Sequence, residues 1–277
     1  MFRRRRERNG CGRKRMTVAV MMAFLAVSVA MAAGLLLPEK TEQLIKKSGT
    51  VVDVGHADQG YIYVRHKASK KRLKLRISSG SQTYTYDLNP NGEFELFTLQ
   101  MGSGNYKVRV FEQVKGSQYS GVSSVSFSAA IGDENLPYLY PSQYVSYDAD
   151  SQAVTQALAI CNDLDSAQDK MDAVVRFVSG KFMYDYMGAL LVQDAGTYLP
   201  DIDKTLETRK GICFDFAALV CCMLRAQGIP TKLVIGYADH AYHAWNQVYI
   251  DDQWQLVDTT AMITGTIVRR YTPERWY

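Results

Sequence analysis

Cysteine is scarce in this chain, five residues in 277, and that scarcity excludes several architectures. Cys161, Cys213, Cys221 and Cys222 lie beyond the N-terminal segment, too few and too closely set for a disulfide framework. Histidine is scarcer still, at four. His240 and His243 form an H-x-x-H pair, but on or near a strand that spacing does not bring both rings to one face, so neither a metal site nor a cofactor is expected. A general excess of positive charge is also missing. The first fifteen residues hold eight Lys/Arg against Glu7, a net of +7, whereas the whole chain is only +4. The basic character therefore belongs to a tail, and nucleic-acid binding has little support.

Charge is absent from Met16 to Leu37, 22 apolar or small residues after that basic tail. Such a run spans a bilayer of about 30 Å. The cations before it place residues 1–15 on the cytoplasmic side and send residues 38–277 across the membrane. Ala30-Met31-Ala32 offers a signal-peptide cleavage site, but the length of residues 16–37 favours an uncleaved single-pass anchor in a bacterial cell. Residues 38–48 read as a linker.

From residue 49 to 131, short alternating runs are broken by turns every 8–12 residues. Val51–Val54, Tyr61–Arg65, Leu73–Ser78, Gln82–Leu88, Phe94–Leu99, Tyr106–Val114 and Val122–Ala129 read as strands. About seven strands without a helix predict an all-β sandwich, Ig-like in outline and without its disulfide. Residues 46–131 carry a net charge of +6 and residues 132–277 a net of −8. The cations of Arg65 to Arg76 read as one hairpin, either a solvated edge or a dock. The dock would take an anionic cell-wall polymer, a lipid surface, or the acidic half of the chain itself.

Residues 132–149 read as an extended crossing segment. Helices are predicted over about Ser151–Cys161 and Ala167–Val178, the second opened by Ser166 with Asp169 three residues on. Leu190–Asp203 reads as irregular chain bordering a cleft, together with Tyr184 and Tyr186.

The chemistry gathers at the end of the sequence. From Cys213 to Gln227 apolar residues recur at helical spacing, and Gly228 and Pro230 stop the helix. Cys213 is then at a helix N-terminus, where unsatisfied N–H groups and the dipole favour a thiolate. Cys221 and Cys222, mid-helix, read as core. His243–Ile250 and Gln253–Thr260 read as a hairpin turning at Asp251-Asp252. A two-residue loop pairs Trp245 with Asp258 and sets His243 and Asp258 diagonally on one face. Cys213, His243 and Asp258 thereby form a candidate nucleophile, base and orienter. Gly211 leaves room beside Cys213. Gly211, Trp245 and Tyr186 are the candidate oxyanion-side and substrate-binding contacts, with the backbone N–H of Cys213 as the default oxyanion donor.

At these residues the chain resembles the transglutaminase-like superfamily. The matching stretches are Gly211-Ile212-Cys213-Phe214-Asp215-Phe216-Ala217, Leu224-Arg225-Ala226-Gln227-Gly228-Ile229-Pro230, Gly236-Tyr237, His243-Ala244-Trp245-Asn246 and Trp254 to Thr260. The resemblance implies an α+β chain with a papain-like transglutaminase core over residues 132–277. It also implies Cys213 as nucleophile, His243 as general base and acid, and Asp258 as orienter. The implied activity is thiol acyl transfer from glutamine or peptide amides of a protein or peptide substrate, that is, cross-linking. A cysteine peptidase or amidase on the same triad and a non-catalytic surface module are the alternatives.

Overall fold

The computed structural model describes residues 34–192 and 198–277. The basic tail at 1–15 and the apolar run from 16 to 33 lie outside the described residues. Among the described residues no helix is long and apolar enough to cross a membrane. The end of the apolar run belongs to the folded protein: Leu35 is buried in the core. Gly34 and Gly228 approach so closely that a Cβ on either would crowd the other's backbone.

The β-domain contains eight strands. They are β1 (Leu44–Lys47), β2 (Thr50–Asp53), β3 (Tyr61–His66), β4 (Leu73–Ser79), β5 (Gln82–Leu88), β6 (Glu95–Thr98), β7 (Gly104–Lys115) and β8 (Gln118–Ala129). They form two antiparallel four-stranded sheets, β1-β2-β3-β6 and β5-β4-β7-β8. Alternation sets the faces: in β4, Leu73, Leu75 and Ile77 are buried while Lys74 and Arg76 point away. Residues 38–48 do not form a free linker. β1 lies within them and pairs with β2, and the Tyr63 hydroxyl donates to the Pro38 carbonyl at 3.0 Å. The basic stretch is not one hairpin either, because β3 and β4 belong to different sheets. His66 is buried against the Thr50 hydroxyl, 2.8 Å away.

The second half holds α1 (Gln152–Cys161), α2 (Ala167–Lys181), β9 (Met183–Tyr184), α3 (Tyr186–Val192), α4 (Ile202–Thr208) and β10 (Lys210–Gly211). These are followed by α5 (Cys213–Arg225), β11 (Thr231–Ala238), β12 (Ala241–Ile250), β13 (Gln253–Val257), α6 (Thr259–Thr264) and β14 (Tyr271–Trp276). The Ser166 hydroxyl caps α2 by accepting the Asp169 N–H at 3.0 Å. The stretch from 190 to 203, expected to be irregular, includes the end of α3 and the start of α4. Asp201 caps α4 by accepting the Lys204 N–H at 3.1 Å. The strands form a sheet of order β13-β12-β11-β14. Helix α5 packs on β11 and β12, with α1 and α2 around it, and residues 216–224 of α5 are buried without a break. Cys221 and Cys222 are core, and burial pushes the Cys221 thiol up to about 11.

The two halves meet at a seam of tyrosine rings, with the Arg275 guanidinium over the Tyr84 ring at 5.5 Å. The Tyr277 ring packs against Tyr144, Tyr84 and Tyr86, with centroids 4.4, 5.5 and 6.1 Å away. No salt bridge joins the two halves among the described residues.

Beside the seam lies Arg225, fully buried at the end of α5. Its guanidinium meets only carbonyls: Thr231 from Nε at 2.9 Å, Tyr140 at 2.6 Å and Tyr277 at 2.8 Å. Arg225→Met should destabilise the protein by about 3 kcal/mol or more, because three buried carbonyls lose their donor together. Denaturant unfolding measures this; a loss under about 1 kcal/mol would mean the carbonyls find other donors.

Candidate active site

Cys213 is the first residue of α5 and half-buried. The first-turn N–H groups of a helix have no intrahelical acceptor, so they and the dipole face whatever charge the sulfur or a substrate oxygen develops. The entry into the helix is held by Asp215. One carboxylate oxygen accepts the Ile212 N–H at 2.9 Å and the other the Tyr198 hydroxyl at 2.6 Å. Burial pushes this carboxyl up, and those two bonds oppose the rise.

Gly211 serves this arrangement rather than a substrate. A Cβ there would collide with the Asp215 side chain, so the missing side chain makes room for the cap. Gly211 also pairs in parallel with Tyr184 through the short β9–β10 bridge. Burial first, then nearness to Cys213, raises the Tyr184 phenol to about 12. Tyr186, named from the sequence, is 67% exposed and packs on Tyr184 at 4.8 Å. Of the two tyrosines, Tyr184 is the one whose phenol senses Cys213.

The base rides on β12. Asp251 and Asp252 both adopt left-handed backbone angles, the type I′ geometry of a two-residue loop. Ile250 pairs with Gln253 and Asn246 with Val257. β13 ends at Val257, so Asp258 is not a strand residue but the N-cap of α6. Its Oδ1 accepts the Ala261 N–H at 2.9 Å. Its Oδ2 receives His243 Nε2 at 2.8 Å and the Tyr271 hydroxyl at 2.9 Å. The cap thus fixes the carboxylate, and the carboxylate fixes the imidazole. With Nε2 occupied, Nδ1 is the nitrogen left for the thiol.

Asn246, fully buried on the same strand, sets the separation of His243 and Cys213. Its Nδ2 donates to the Ala217 carbonyl at 2.9 Å and lies 3.1 Å from Cys221 Sγ, tying β12 to α5. Trp245 does not face a substrate. It is 1% exposed, and its ring stacks behind His243 at 6.2 Å and against Tyr271 at 5.1 Å. It is a buttress for the imidazole.

Tyr271 is the site residue that the sequence did not reveal. It arrives on β14, which pairs with β11 on the side away from β12. Gly236 lies opposite His243 in the β11–β12 ladder and beside a register shift in the β11–β14 ladder. Any side chain at Gly236 would strike the Thr272–Pro273 backbone. That glycine was the available clue to the close approach of β14.

Electrostatics follow from these bonds. Burial alone would lower the His243 imidazole, but the bond to Asp258 and the interaction with Cys213 outweigh it and raise the ring to about 9. Burial pushes the Asp258 carboxyl up; the His243, Ala261 and Tyr271 bonds together hold it below its usual value. Burial and the neighbouring Asp258 push the Tyr271 phenol up, so it stays a neutral donor. An imidazolium beside a thiol suits acyl transfer, because it can protonate a leaving amine. Among the described residues no cluster of His, Cys, Asp or Glu could hold a metal ion. Tyr198 and Leu199, in the stretch expected to border a cleft, line a cavity of about 470 Å³ at the seam with Gln143, Tyr144, Glu95 and Arg72.

Two outcomes test this arrangement. His243 keeps its proton until the pH rises through about 9; in Asp258→Asn the raising partner is gone, and the titration should move down toward the ordinary value of about 6.5. NMR titration of the imidazole reads this directly, and an unmoved midpoint would remove Asp258 as its cause. Tyr271→Phe should cut Cys213-dependent turnover about tenfold with KM unchanged, the worth of a hydrogen bond to a charged group. Steady-state kinetics decide it; an unaltered kcat would make the bond incidental.

Residues 153–259 match the family model described as the transglutaminase-like superfamily. A Bacillus subtilis protein, the uncharacterized YebA, is 28% identical over 132 residues, which is 40% of this chain and 18% of YebA. The chain thus spans under a fifth of that relative. Among solved structures, a candidate cysteine protease from Cytophaga hutchinsonii is 18% identical over 76% of this chain and 78% of its own, with a TM-score of 0.41. Red sea bream transglutaminase is 13% identical over 72% of this chain and 48% of its own, with a TM-score of 0.31. Cys213 and His243 lie inside the matched span and Asp258 near its end, so residues 153–259 of this chain are a transglutaminase-like domain.

Proposed function

We propose that this protein is a thiol acyl-transfer enzyme acting on glutamine side chains or peptide amides of a protein or peptide. The observation that carries this reading is the Cys213-bearing helix end facing an imidazole that Asp258 orients and keeps protonated. Cys213 Sγ, as thiolate, attacks the amide carbonyl carbon, and first-turn N–H groups of α5 meet the oxyanion. His243 gives its proton to the departing amine as the C–N bond breaks, leaving a thioester. A second amine or water then loses a proton to His243 and attacks the thioester. The C–S bond breaks and the thiolate–imidazolium pair is restored. An amine acceptor makes the protein a cross-linker; water makes it a peptidase or amidase. A purely structural surface module would need none of the three residues, and all are present and connected.

The basic tail and the apolar run that follow the N-terminus support an exported enzyme tethered by a single anchor, with the globular part outside the cell. We also assign the sandwich an Ig-like outline. Its strand order supports this, as does the Tyr106 hydroxyl, which donates to the Gly102 carbonyl at 2.7 Å and closes the corner before β7.

Full-length protein, wild type beside Cys213→Ala, is incubated with glutamine- and lysine-containing peptides and a labelled primary amine, and the products are read by mass spectrometry. Amine incorporation or cross-links lost in the variant are expected. Cys213-dependent deamidation or cleavage alone would assign the hydrolase, and products unchanged in the variant would end the thiol mechanism.

A further inference from the structure

The outer face of the β5-β4-β7-β8 sheet holds a set of cations that local sequence does not group. Arg76 on β4 stands directly opposite Arg109 on β7. On the next row Lys107 of β7 faces Ser78. Lys74 stands on the other side, next to Phe111 in the same ladder. Such a lattice repeats about every 4.8 Å across strands and about 6.8 Å along them.

The neighbours on this face are hydroxyls. Thr85 lies beside Arg76 on β5, and Ser124 and Ser126 lie beside Arg109 and Lys107 on β8. Its carboxylate is Asp87 at one edge, held by Lys74 at 2.8 Å and by Arg72. Among the described residues Arg76, Lys107 and Arg109 form no salt bridge. Like charges directly opposite on an antiparallel pair destabilise it. Here both guanidinium carbons lie over the single ring of Phe111, at 5.0 and 5.7 Å, and the Arg109 Nε is buried without an acceptor.

We propose that this face docks a linear polyol-phosphate polymer, with phosphates bridging Arg76 and Arg109 and reaching Lys107, and polymer hydroxyls meeting the flanking threonine and serines. A bridging oxyanion removes the repulsion of the arginine pair. A membrane surface fits less well, because interfacial binding adds apolar insertion to charge, and the Phe111 ring lies beneath the guanidiniums. The dock holds the protein on an anionic surface, and it stands whether or not the acyl-transfer reading does.

The test is binding of the full chain, kept in a non-ionic detergent, to immobilised linear poly(glycerol phosphate) across a salt series. Each basic contact near an anionic surface contributes about 1 kcal/mol. Arg76→Ser/Arg109→Ser should therefore weaken binding roughly twenty- to thirtyfold and flatten the salt dependence. Lys67→Ser/Lys70→Ser removes the same charge from the β3–β4 loop and should change affinity less than about threefold. Unfolding midpoints of both variants confirm that the sandwich is intact. No polymer binding by the wild type, or equal losses in the two variants, overturns the proposal. Arginine-dependent binding to phosphatidylglycerol vesicles but not to the polymer overturns it in favour of a membrane dock.

Discussion

A buried guanidinium surrounded by carbonyls sets the frame of this protein. Arg225 ends the helix that begins at Cys213, and its donors reach the start of β11, the chain at the seam and the backbone after β14. Its stem crosses the core, where a charge without hydrogen bonds would be untenable. Once Arg225 is placed, the carboxyl end of α5, the first strand of the sheet and the last strand are fixed relative to one another. The candidate active site lies at the other end of that helix. Its precision depends on α5 being a rigid rod, buried from Asp215 to Arg225, with Asn246 clamping β12 to its middle.

The triad follows the same logic of shared hydrogen bonds. Asp258 begins a helix, orients an imidazole and accepts a phenol. No one of these bonds would hold a carboxylate to a fraction of an ångström; three from different directions do. The buried ring of Trp245 prevents the imidazole from tilting. A positively charged His243 is thereby kept in a half-closed site where burial alone would strip its proton.

Local patterns made much of this legible before any coordinates. The helix at Cys213 follows from its apolar spacing and from the Gly228–Pro230 stop. The Asp251-Asp252 turn fixed the hairpin register, and that register brought His243 and Asp258 together. Most sandwich strands lie within a residue or two of their alternation pattern. What local patterns concealed was contact between distant segments. Tyr271 reaches Asp258 only because Gly236 lets β14 lie close. Gly211 looked like space for a substrate and is space for Asp215. Trp245 shares a face with His243, but α5 and β14 bury it. The cations of residues 65–76 are consecutive in sequence yet divided between two sheets, while Lys107 and Arg109 join them from thirty residues on.

That division bears on how the two halves work together. The β-domain is cationic and the catalytic half acidic, yet no ion pair among the described residues joins them. Oppositely charged domains that met through their charges would neutralise one another and leave little field outside. Here the seam is built from tyrosine rings around Tyr277 and a guanidinium satisfied by carbonyls. The charge of each half stays available to partners on its own surface. Aromatic packing gives the seam area without an ion pair among the described residues, so the cationic face of the sandwich and the acidic catalytic half present opposite fields to solvent at the same time. A segment of one sign would be drawn toward one half and away from the other, which gives the molecule an electrostatic polarity.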